Sequence, residues 1–337
     1  MTQLLERLLA THSLEENQAA LLFDVLADPT TPPALCGAYL AALRLKGEST
    51  AEVRGLVMAM RARALPCDLA NVPGLVDLVG TGGDHAGSFN LSTGSALLAA
   101  AAGAPVAKHG SGAVSGRSGA ADVLTELGVV LPKTDRSACS LFEATGFTFL
   151  HAPTYHPALI GIGQVRLVLG TRTVFNLLGP LCNPARPSFA VIGAATLTAA
   201  RVMAEVASLL PYERAFVVHG AAGWDEPTPV GVFHLFDVRP GRVSHERRDP
   251  REVGLVRCEA AELRGGDAVH NASAMRSALS DKSGPHRDAL VLGAALALEV
   301  SGRVPDRKDA ATEARAAVDD GRAGVLIDRI ATDSRHD

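Results

Sequence analysis

Two glycine-rich loops set the strongest constraint on how this chain folds. The first, residues 80–84 (GTGGD), follows the apolar run 75–79, and the second, residues 108–119 (KHGSGAVSGRSG), follows the apolar pair Val106-Ala107. A helical segment is expected after each loop, from about Ser92 and from Ser118. Alternating strands, loops and helices are typical of an α/β unit with a mainly parallel sheet. Because ligands of such proteins bind where parallel strands end, both loops are expected at that edge.

The alternation continues toward the C-terminus. Further buried strands are predicted at 147–150, 189–194 and 215–219, with helices between them. From about residue 260 the pattern is helical again, most clearly over 267–279 and 288–300, and the tail 331–337 is expected to fray.

Residues 1–65 show only helical patterns. Ser13 with Glu16 and Ser49 with Glu52 each match the S-x-x-E capping box, and Pro33 stands where a third helix begins. A proline-flanked linker follows. The sequence therefore predicts an α/β protein with a small all-helical domain, 1–72, and a larger α/β domain with a mainly parallel central sheet, 73–337.

Charge and cysteine content narrow the class of protein. The 337 residues carry 32 Lys and Arg against 36 Asp and Glu, and a net charge of −4 weighs against a general nucleic-acid-binding surface. The five dispersed cysteines form no C-x-x-C pair and are expected to be reduced core residues. With no signal-peptide pattern and no run of 18 apolar residues, a cytoplasmic protein without a membrane partner is expected.

Both loops have the chemistry of an anion-binding site. Glycines let backbone N–H groups converge, a helix N-terminus adds a favourable dipole, and Lys108 adds a positive charge. A tight turn with Ser92 as N-cap is the alternative for the first loop, but a repeat of the same chemistry after the next strand favours a phosphate ligand. No Walker motif occurs, which weakens an ATPase interpretation.

Two further segments carry charge that suits such a ligand. Asp225 and Glu226 follow the strand 215–219 and are suitable ligands for Mg²⁺, although adjacent carboxylates are more often solvated surface residues. Arg166 could hold a planar carboxylate in a two-pronged hydrogen bond, or it could form an ordinary salt bridge on a helix surface.

Several longer motifs occur together: GTGGD at 80–84, N-x-S-T at 90–93, KHG at 108–110, S-G-x-A-D at 118–122, GTRTVFNLLGPLCNP at 170–184 and DE at 225–226. With these motifs the chain resembles the anthranilate phosphoribosyltransferase family over nearly its whole length. The resemblance implies a small helical domain, joined by helices near 160–182, and an α/β domain of the nucleoside phosphorylase/phosphoribosyltransferase type. It also implies a homodimer paired through the helical part.

The resemblance further implies Mg²⁺-dependent transfer of the phosphoribosyl group from 5-phosphoribosyl 1-diphosphate to anthranilate, in tryptophan biosynthesis. The positions implied to bind the phosphoribosyl donor are Gly80, Gly83, Asp84, Ser88, Asn90, Leu91, Ser92, Thr93, Lys108, Gly110 and Ser115. Those implied to line the anthranilate site are Gly80, His109, Ser111 and Arg166. Those implied to bind Mg²⁺ are Ser92, Asp225 and Glu226.

The second loop departs from the pattern of the family, KHGNR-x-x-SS-x-SGSAD. The replacements are Ser111 for asparagine, Gly112 for arginine, and Gly116 and Ala120 for serines. The change at Gly112 removes a positive charge near the phosphates, for which Arg117 or Arg214 could compensate. Either the chain has diverged within one activity, or it is a paralogue that accepts another aromatic amine or base.

Two other classes of function stay open at this point. One is a related phosphoribosyltransferase or a nucleoside phosphorylase-like enzyme, which is disfavoured because the loops and the DE pair suit a diphosphate and a metal. The other is a non-catalytic relative that binds a ligand or nucleic acid, against which the net charge of −4 and the retained DE pair both weigh.

Overall fold

The computed structural model of the chain describes residues 2–83, 86–113, 118–280 and 283–335. Its helices are α1 Thr2–Leu9, α2 Glu16–Ala27, α3 Pro33–Lys46, α4 Thr50–Ala62, α5 Leu91–Ala101, α6 Ala120–Glu126, α7 Asp135–Thr145, α8 Ala152–Tyr155, α9 Ile160–Leu169, α10 Phe175–Leu178, α11 Leu197–Ser208, α12 Ala268–Ala278, α13 Pro285–Val300, α14 Arg307–Asp319 and α15 Arg322–Asp333. Its strands are β1 Val76–Gly80, β2 Val106–Gly110, β3 Phe147–His151, β4 Phe189–Gly193, β5 Arg214–His219, β6 Phe233–Arg239 and β7 Arg242–Arg248.

The sheet is mixed, with a parallel core. Its strand order is β3-β2-β1-β4-β5-β6-β7, and the first five strands in that order are parallel. The hairpin β6–β7, which the sequence analysis did not predict, adds two antiparallel strands at one edge. The predicted fold class, a helical N-terminal part followed by an α/β part with a mainly parallel sheet, is confirmed.

The strand order creates a crevice between β1 and β4. From β1 the chain proceeds to β2 and β3 on one side, whereas β4 and β5 lie on the other side. The loops that leave β1 and β4 therefore diverge, and the space between them opens at the carboxyl ends of the strands. Such a switch point is where open α/β sheets bind their ligands.

Two apolar clusters cover the faces of the sheet. On one face, α5, α13, α14 and α15 pack against strand residues such as Leu78 and Phe216. On the other, α11 shares a continuous cluster with the N-terminal helices α2, α3 and α4, including Phe23 and Tyr39. Helices α9 and α10 also join this second cluster, through Ile162 and Phe175. The N-terminal helices are thus held against the α/β part by buried side chains.

Two of the three predicted helix starts in the N-terminal part are found in the structure. Ser49 and Glu52 form the predicted capping box of α4, and α3 begins at Pro33 as predicted. The predicted box of Ser13 and Glu16 was wrong, because Glu15 and Gln18 cap α2 instead. Glu16 forms an ion pair with Arg54 of α4, so its side chain serves a tertiary contact rather than a cap.

Three other local predictions needed correction. The helix after the second loop begins at Ala120 rather than Ser118, and α5 begins at Leu91 with Asn90, not Ser92, as its N-cap. The tail is more ordered than expected: α15 runs to Asp333, and the Ser334 hydroxyl accepts a hydrogen bond from the Val130 N–H at 3.0 Å.

No helix in the described part of the chain combines the length and the apolar character needed to cross a membrane.

Candidate active site

A cavity of about 850 Å³ opens at the carboxyl ends of the parallel strands. Both glycine-rich loops line it, together with the Asp225-Glu226 pair and residues of α9 and α10. The sequence elements that were singled out for their chemistry therefore converge on one site. The predicted site residues found in its lining are Gly80, Gly83, Ser88, Asn90, Ser92, Thr93, Lys108, His109, Gly110, Ser111, Arg166, Asp225 and Glu226.

Among the described residues, one predicted site residue, Leu91, does not line the cavity. Leu91 is 2% exposed and its side chain belongs to the apolar cluster between the sheet and α13. Asp84 and Ser115 lie outside the described residues, as does Arg117. Arg214, proposed as a compensating charge, was a wrong candidate because it lies at the start of β5, where it donates two hydrogen bonds to Asp237.

The two adjacent carboxylates tie the site together. Asp225 is 5% exposed and accepts hydrogen bonds from the Gly82 N–H and the Thr81 hydroxyl of the first loop. Glu226 accepts from the Ser92 N–H at 2.8 Å and from the Ser88 hydroxyl at 3.3 Å. Glu226 thus caps the N-terminus of α5, a position that favours negative charge.

This arrangement depends on a glycine at the end of β4. A Cβ built on Gly193 would lie 1.6 Å from the Asp225 carbonyl oxygen, far inside any tolerated contact. The backbone of Asp225 therefore lies directly on β4, beside β1. That close approach places Asp225 directly against the first loop.

Lys108 places a buried charge beneath the same loop. It is 2% exposed, and its Nζ donates to the Leu78 carbonyl at 2.6 Å and the Ser92 hydroxyl at 3.3 Å. Burial lowers the pKa of Lys108, while the negative charges of Asp77 and Glu226 oppose the shift. The ammonium group of Lys108 therefore adds positive charge close to the N-terminus of α5, where it offsets part of the negative charge of these carboxylates.

On the other face of β2, His109 is buried and neutral. Burial and the neighbouring His156 ring lower the pKa of His109 to about 3, and its Nε2 has no hydrogen-bond partner among the described residues. The two rings meet edge to face, with centroids 5.3 Å apart. The His156 Nε2 lies 3.0 Å from the Cys182 carbonyl, and burial lowers the pKa of His156 to about 4.

Arg166 supplies a further positive charge to the lining of the cavity. It projects from α9, and its guanidinium carbon lies 5.4 Å from the centre of the Phe175 ring on α10. No carboxylate of the described residues forms an ion pair with it, and burial lowers its pKa. A half-buried guanidinium of this kind favours an anionic ligand with a flat apolar part.

Some functional candidates were not predicted from the sequence. Asn271 on α12 is 1% exposed and donates to Asn90 and Ser118, while its Oδ1 accepts from the Gly266 N–H at 2.7 Å. It thereby links the N-cap of α5 and the second loop to a third segment, 263–266. The motif G-G-D before a helix was a usable signal for that segment.

Two buried polar atoms of the cavity lining lack a hydrogen-bond partner within the described structure. Thr93 is 1% exposed, and its hydroxyl oxygen is one of these atoms; the His109 Nε2 is the other. Buried polar atoms without partners are costly, so a polar ligand would stabilise them.

Acid should destabilise the fold through the two buried histidines. The folded chain keeps both rings neutral, whereas the unfolded chain binds protons below pH 6.5, the ordinary pKa. Their contribution to the free energy of unfolding is therefore complete above pH 6.5 and falls as the pH drops toward 4, by about 1.4 kcal/mol per pH unit for each ring. Asp77 acts in the opposite sense. Burial raises its pKa to about 6, so below that pH the folded chain binds a proton that the unfolded chain does not yet bind, and this contribution to the free energy of unfolding increases as the pH falls toward 4.

We expect His156→Gln to lose stability less steeply than the wild type between pH 6.5 and 4.5. Thermal unfolding followed by circular dichroism measures the slope. The exposed His12 provides a control, since His12→Gln should keep the wild-type slope. Equal slopes for His156→Gln and the wild type would contradict the assignment.

Comparison with known proteins agrees with this architecture. The family model described as the helical bundle domain of a glycosyl transferase family matches residues 2–64, and the model of its a/b domain matches residues 72–324. An anthranilate phosphoribosyltransferase of Azorhizobium caulinodans is 43% identical over 97% of this chain and 95% of its own length. Another, of Methylocella silvestris, is 40% identical over 98% of this chain and 94% of its own length.

Solved structures give the same result. The crystal structure of anthranilate phosphoribosyltransferase from Thermus thermophilus matches with a TM-score of 0.90 and 38% identity, covering 98% of this chain and 99% of that one. The Saccharomyces cerevisiae enzyme in complex with PRPP and Mg matches with a TM-score of 0.83 and 25% identity, covering 95% and 92%. The sequence motifs, the fold and these relatives agree. The matched domains are those of a glycosyl transferase family with a helical bundle domain and an a/b domain, and within it the chain belongs to the anthranilate phosphoribosyltransferase family.

Proposed function

We propose that this chain transfers the phosphoribosyl group of 5-phosphoribosyl 1-diphosphate to anthranilate, giving N-(5-phosphoribosyl)anthranilate and diphosphate in tryptophan biosynthesis. One observation carries the proposal: a single cavity is lined by the two glycine-rich loops, the acidic pair and the guanidinium-bearing Arg166. A donor with phosphates and an acceptor with a carboxylate suit this lining.

The donor is proposed to bind along the two loops. Backbone N–H groups and the N-terminus of α5 would meet its phosphate oxygens, which helix dipoles favour. The buried Thr93 hydroxyl supports this, because it lacks a partner in the described structure and could donate a hydrogen bond to a phosphate oxygen. The roles of the predicted donor-binding residues, including Leu91, Asp84 and Ser115, stay predictions.

Mg²⁺ is the proposed metal, held by Asp225, Glu226 and the Ser92 hydroxyl. The described residues contain no group of three or more His, Cys, Asp or Glu side chains that could hold a metal ion. Two carboxylates and a hydroxyl suit Mg²⁺, which often binds one or two carboxylates plus substrate phosphates and water. When bound, the metal would stabilise the negative charge that develops on the leaving diphosphate.

The acceptor is proposed to lie between His109 and Arg166. The Arg166 guanidinium can donate two parallel hydrogen bonds to the anthranilate carboxylate, and Phe175 beside it offers an apolar surface. Because His109 is neutral, its unpartnered Nε2 can accept a hydrogen bond from the acceptor's amine. Such a contact would orient the nitrogen lone pair toward the ribose carbon.

The chemistry would then depend mainly on positioning. Displacement at the ribose carbon passes through an oxocarbenium-like state, as in other glycosyl transfers. An aromatic amine is already neutral at pH 7, so it needs alignment more than a strong base. The absence of a nucleophile–base pair among the proposed site residues is consistent with such a reaction.

The direct test is to incubate the purified protein with phosphoribosyl diphosphate, Mg²⁺ and anthranilate. Loss of anthranilate fluorescence, with release of diphosphate in equal amount, is the expected result. Omitting the donor or Mg²⁺ provides the controls. Unchanged fluorescence at saturating reagents would overturn the proposal.

We further propose that the chain is a homodimer in the cytoplasm, paired through its helical part. The exposed apolar side chains of α9 support this: Ile160 is 65% exposed, Leu167 65% and Val168 87%. Light scattering should give twice the chain mass of 34.9 kDa, and Leu167→Glu/Val168→Glu should give the single mass. Val325→Glu, at a 68% exposed position on α15, should remain dimeric. A wild-type protein of single mass would contradict the proposal.

The division into domains at residues 72 and 73 also stays a prediction. Limited proteolysis between α4 and β1 would test it, since a linker between domains is cleaved before the elements it joins.

A further inference from the structure

Arg264 is a cation at the cavity that neither the sequence motifs nor the proposed roles above account for. It lines the cavity, its side chain is exposed, and it forms no ion pair within the described part of the chain. Exposed arginines without an ion pair are common, so exposure alone does not indicate a binding role; the position of Arg264 does.

The backbone of Arg264 is fixed directly against residues 87–89, which lie between the first loop and α5. Arg264 and Ser88 form an antiparallel bridge, flanked by hydrogen bonds from the Phe89 N–H to the Leu263 carbonyl at 3.2 Å and from the Gly265 N–H to the Gly87 carbonyl at 2.8 Å. Residues opposite each other in such a bridge have neighbouring side chains. The Arg264 side chain therefore starts beside Ser88, whose hydroxyl contacts Glu226.

Gly265 makes this approach possible. A Cβ at Gly265 would lie 2.7 Å from the backbone of Ser88 and Phe89, so a larger residue would push the segment away. The His286 ring packs against Phe89, with ring centroids 4.3 Å apart. The start of the side chain is thus well anchored while its guanidinium remains accessible.

The other charged groups of the cavity lining show why the Arg264 guanidinium is available to a ligand. The described lining holds three cations, Lys108, Arg166 and Arg264, against the carboxylates of Asp225 and Glu226. Lys108 already donates to protein oxygens, and Arg166 lies beside Phe175. Among the described cations of the lining, Arg264 is therefore the one that has no ion pair and lies beside Ser88.

We propose that Arg264 is a donor-binding residue whose guanidinium pairs with phosphate oxygens of phosphoribosyl diphosphate beside Ser88. This inference rests on the proposed function and deepens it. Gly112 lies on the second glycine-rich loop and brings no charge, so Arg264 supplies a phosphate-pairing cation from a separate segment. It determines affinity for the donor and not for the acceptor.

The test compares Arg264→Gln with Arg264→Lys and a matched control. Arg242→Gln removes another exposed arginine without an ion pair in the described structure, on the edge strand β7. For Arg264→Gln we expect the KM for phosphoribosyl diphosphate to rise about tenfold to a hundredfold, the range for losing a hydrogen bond to a charged group. The KM for anthranilate and kcat should stay within about threefold, and Arg264→Lys should recover part of the loss.

A second measurement separates this inference from the proposed function. Phosphoribosyl diphosphate with Mg²⁺ should raise the melting temperature of the wild type and of Arg242→Gln, and raise that of Arg264→Gln much less. If the wild type transfers phosphoribose but Arg264→Gln keeps its donor KM, the inference alone is overturned. If Arg264→Gln loses stability and both KM values change together, Arg264 is structural and the inference is overturned. If the wild type transfers no phosphoribosyl group, the proposed function is overturned, and the inference that rests on it is overturned with it.

Discussion

Replacing Asp225 with Asn and Glu226 with Gln should lower turnover about a thousandfold while the melting temperature changes by less than about 4 °C. Both carboxylates would hold the metal, and their amides would lose the charge that attracts it. Asn and Gln keep a carbonyl oxygen, however. That oxygen can still accept from the Gly82 N–H and the Ser92 N–H, so the fold should persist.

Steady-state rates at saturating substrates and calorimetric unfolding measure the two effects. The single variant Glu226→Gln gives a second test, since Glu226 is less buried than Asp225. Asp237→Asn is the matched control: this half-buried carboxylate accepts two hydrogen bonds from Arg214 outside the cavity. It should lose stability without losing turnover. If the acidic pair instead lost stability and turnover in proportion, its role would be structural.

Replacing Arg166 with Ala should raise the KM for anthranilate about tenfold to a hundredfold, with little change in the KM for the donor. The guanidinium is half-buried beside Phe175, and no described carboxylate pairs with it, so its removal would leave the acceptor carboxylate without a partner. Arg166→Lys keeps the charge but not the two parallel donors, and an intermediate KM is expected.

An acceptor without a carboxylate provides the control for Arg166. The wild type and Arg166→Ala should use such an aromatic amine equally poorly, because the contact in question is missing in both cases. Initial rates over a range of acceptor concentrations measure this. Unchanged use of anthranilate by Arg166→Ala would remove Arg166 from the acceptor site.

The position of the site could be predicted from the sequence because it follows from local patterns. Apolar strands that end in glycine-rich loops meet at one edge of a parallel sheet, and Asp225-Glu226 follows another strand of that sheet. Neither inference needs knowledge of a distant contact. The convergence of these segments on one cavity is the consequence of strand order alone.

The parts that were missed depend on contacts between distant segments. Glu226 caps α5 from 134 positions along the chain, so the local pattern pointed to the wrong N-cap. Asn271 joins the N-cap of α5 and the second loop from 181 and 153 positions away, and no short motif announces such a role. Arg264 lies beside Ser88 through an isolated bridge, which no periodicity reveals.

The hairpin β6–β7 escaped prediction for a different reason. β7 is an edge strand whose residues from Arg242 to Arg247 are exposed, so it lacks the apolar alternation that marks a half-buried strand. The Pro240-Gly241 turn was the available signal. Edge strands rich in charge are a common protection against pairing with other chains.

The close approach of Asp225 to Gly193 has a consequence for how such a sequence can vary. Any side chain at Gly193 would displace Asp225, so this position behind the acidic pair tolerates almost no change. The loop at Gly112 is more permissive: the nearest atoms to an added Cβ belong to the Asp122 side chain, at 3.3 Å and beyond. Substitutions are therefore easier to accommodate at Gly112 than at Gly193. Residues 111–113 are the natural place to begin changing which acceptors the site accepts.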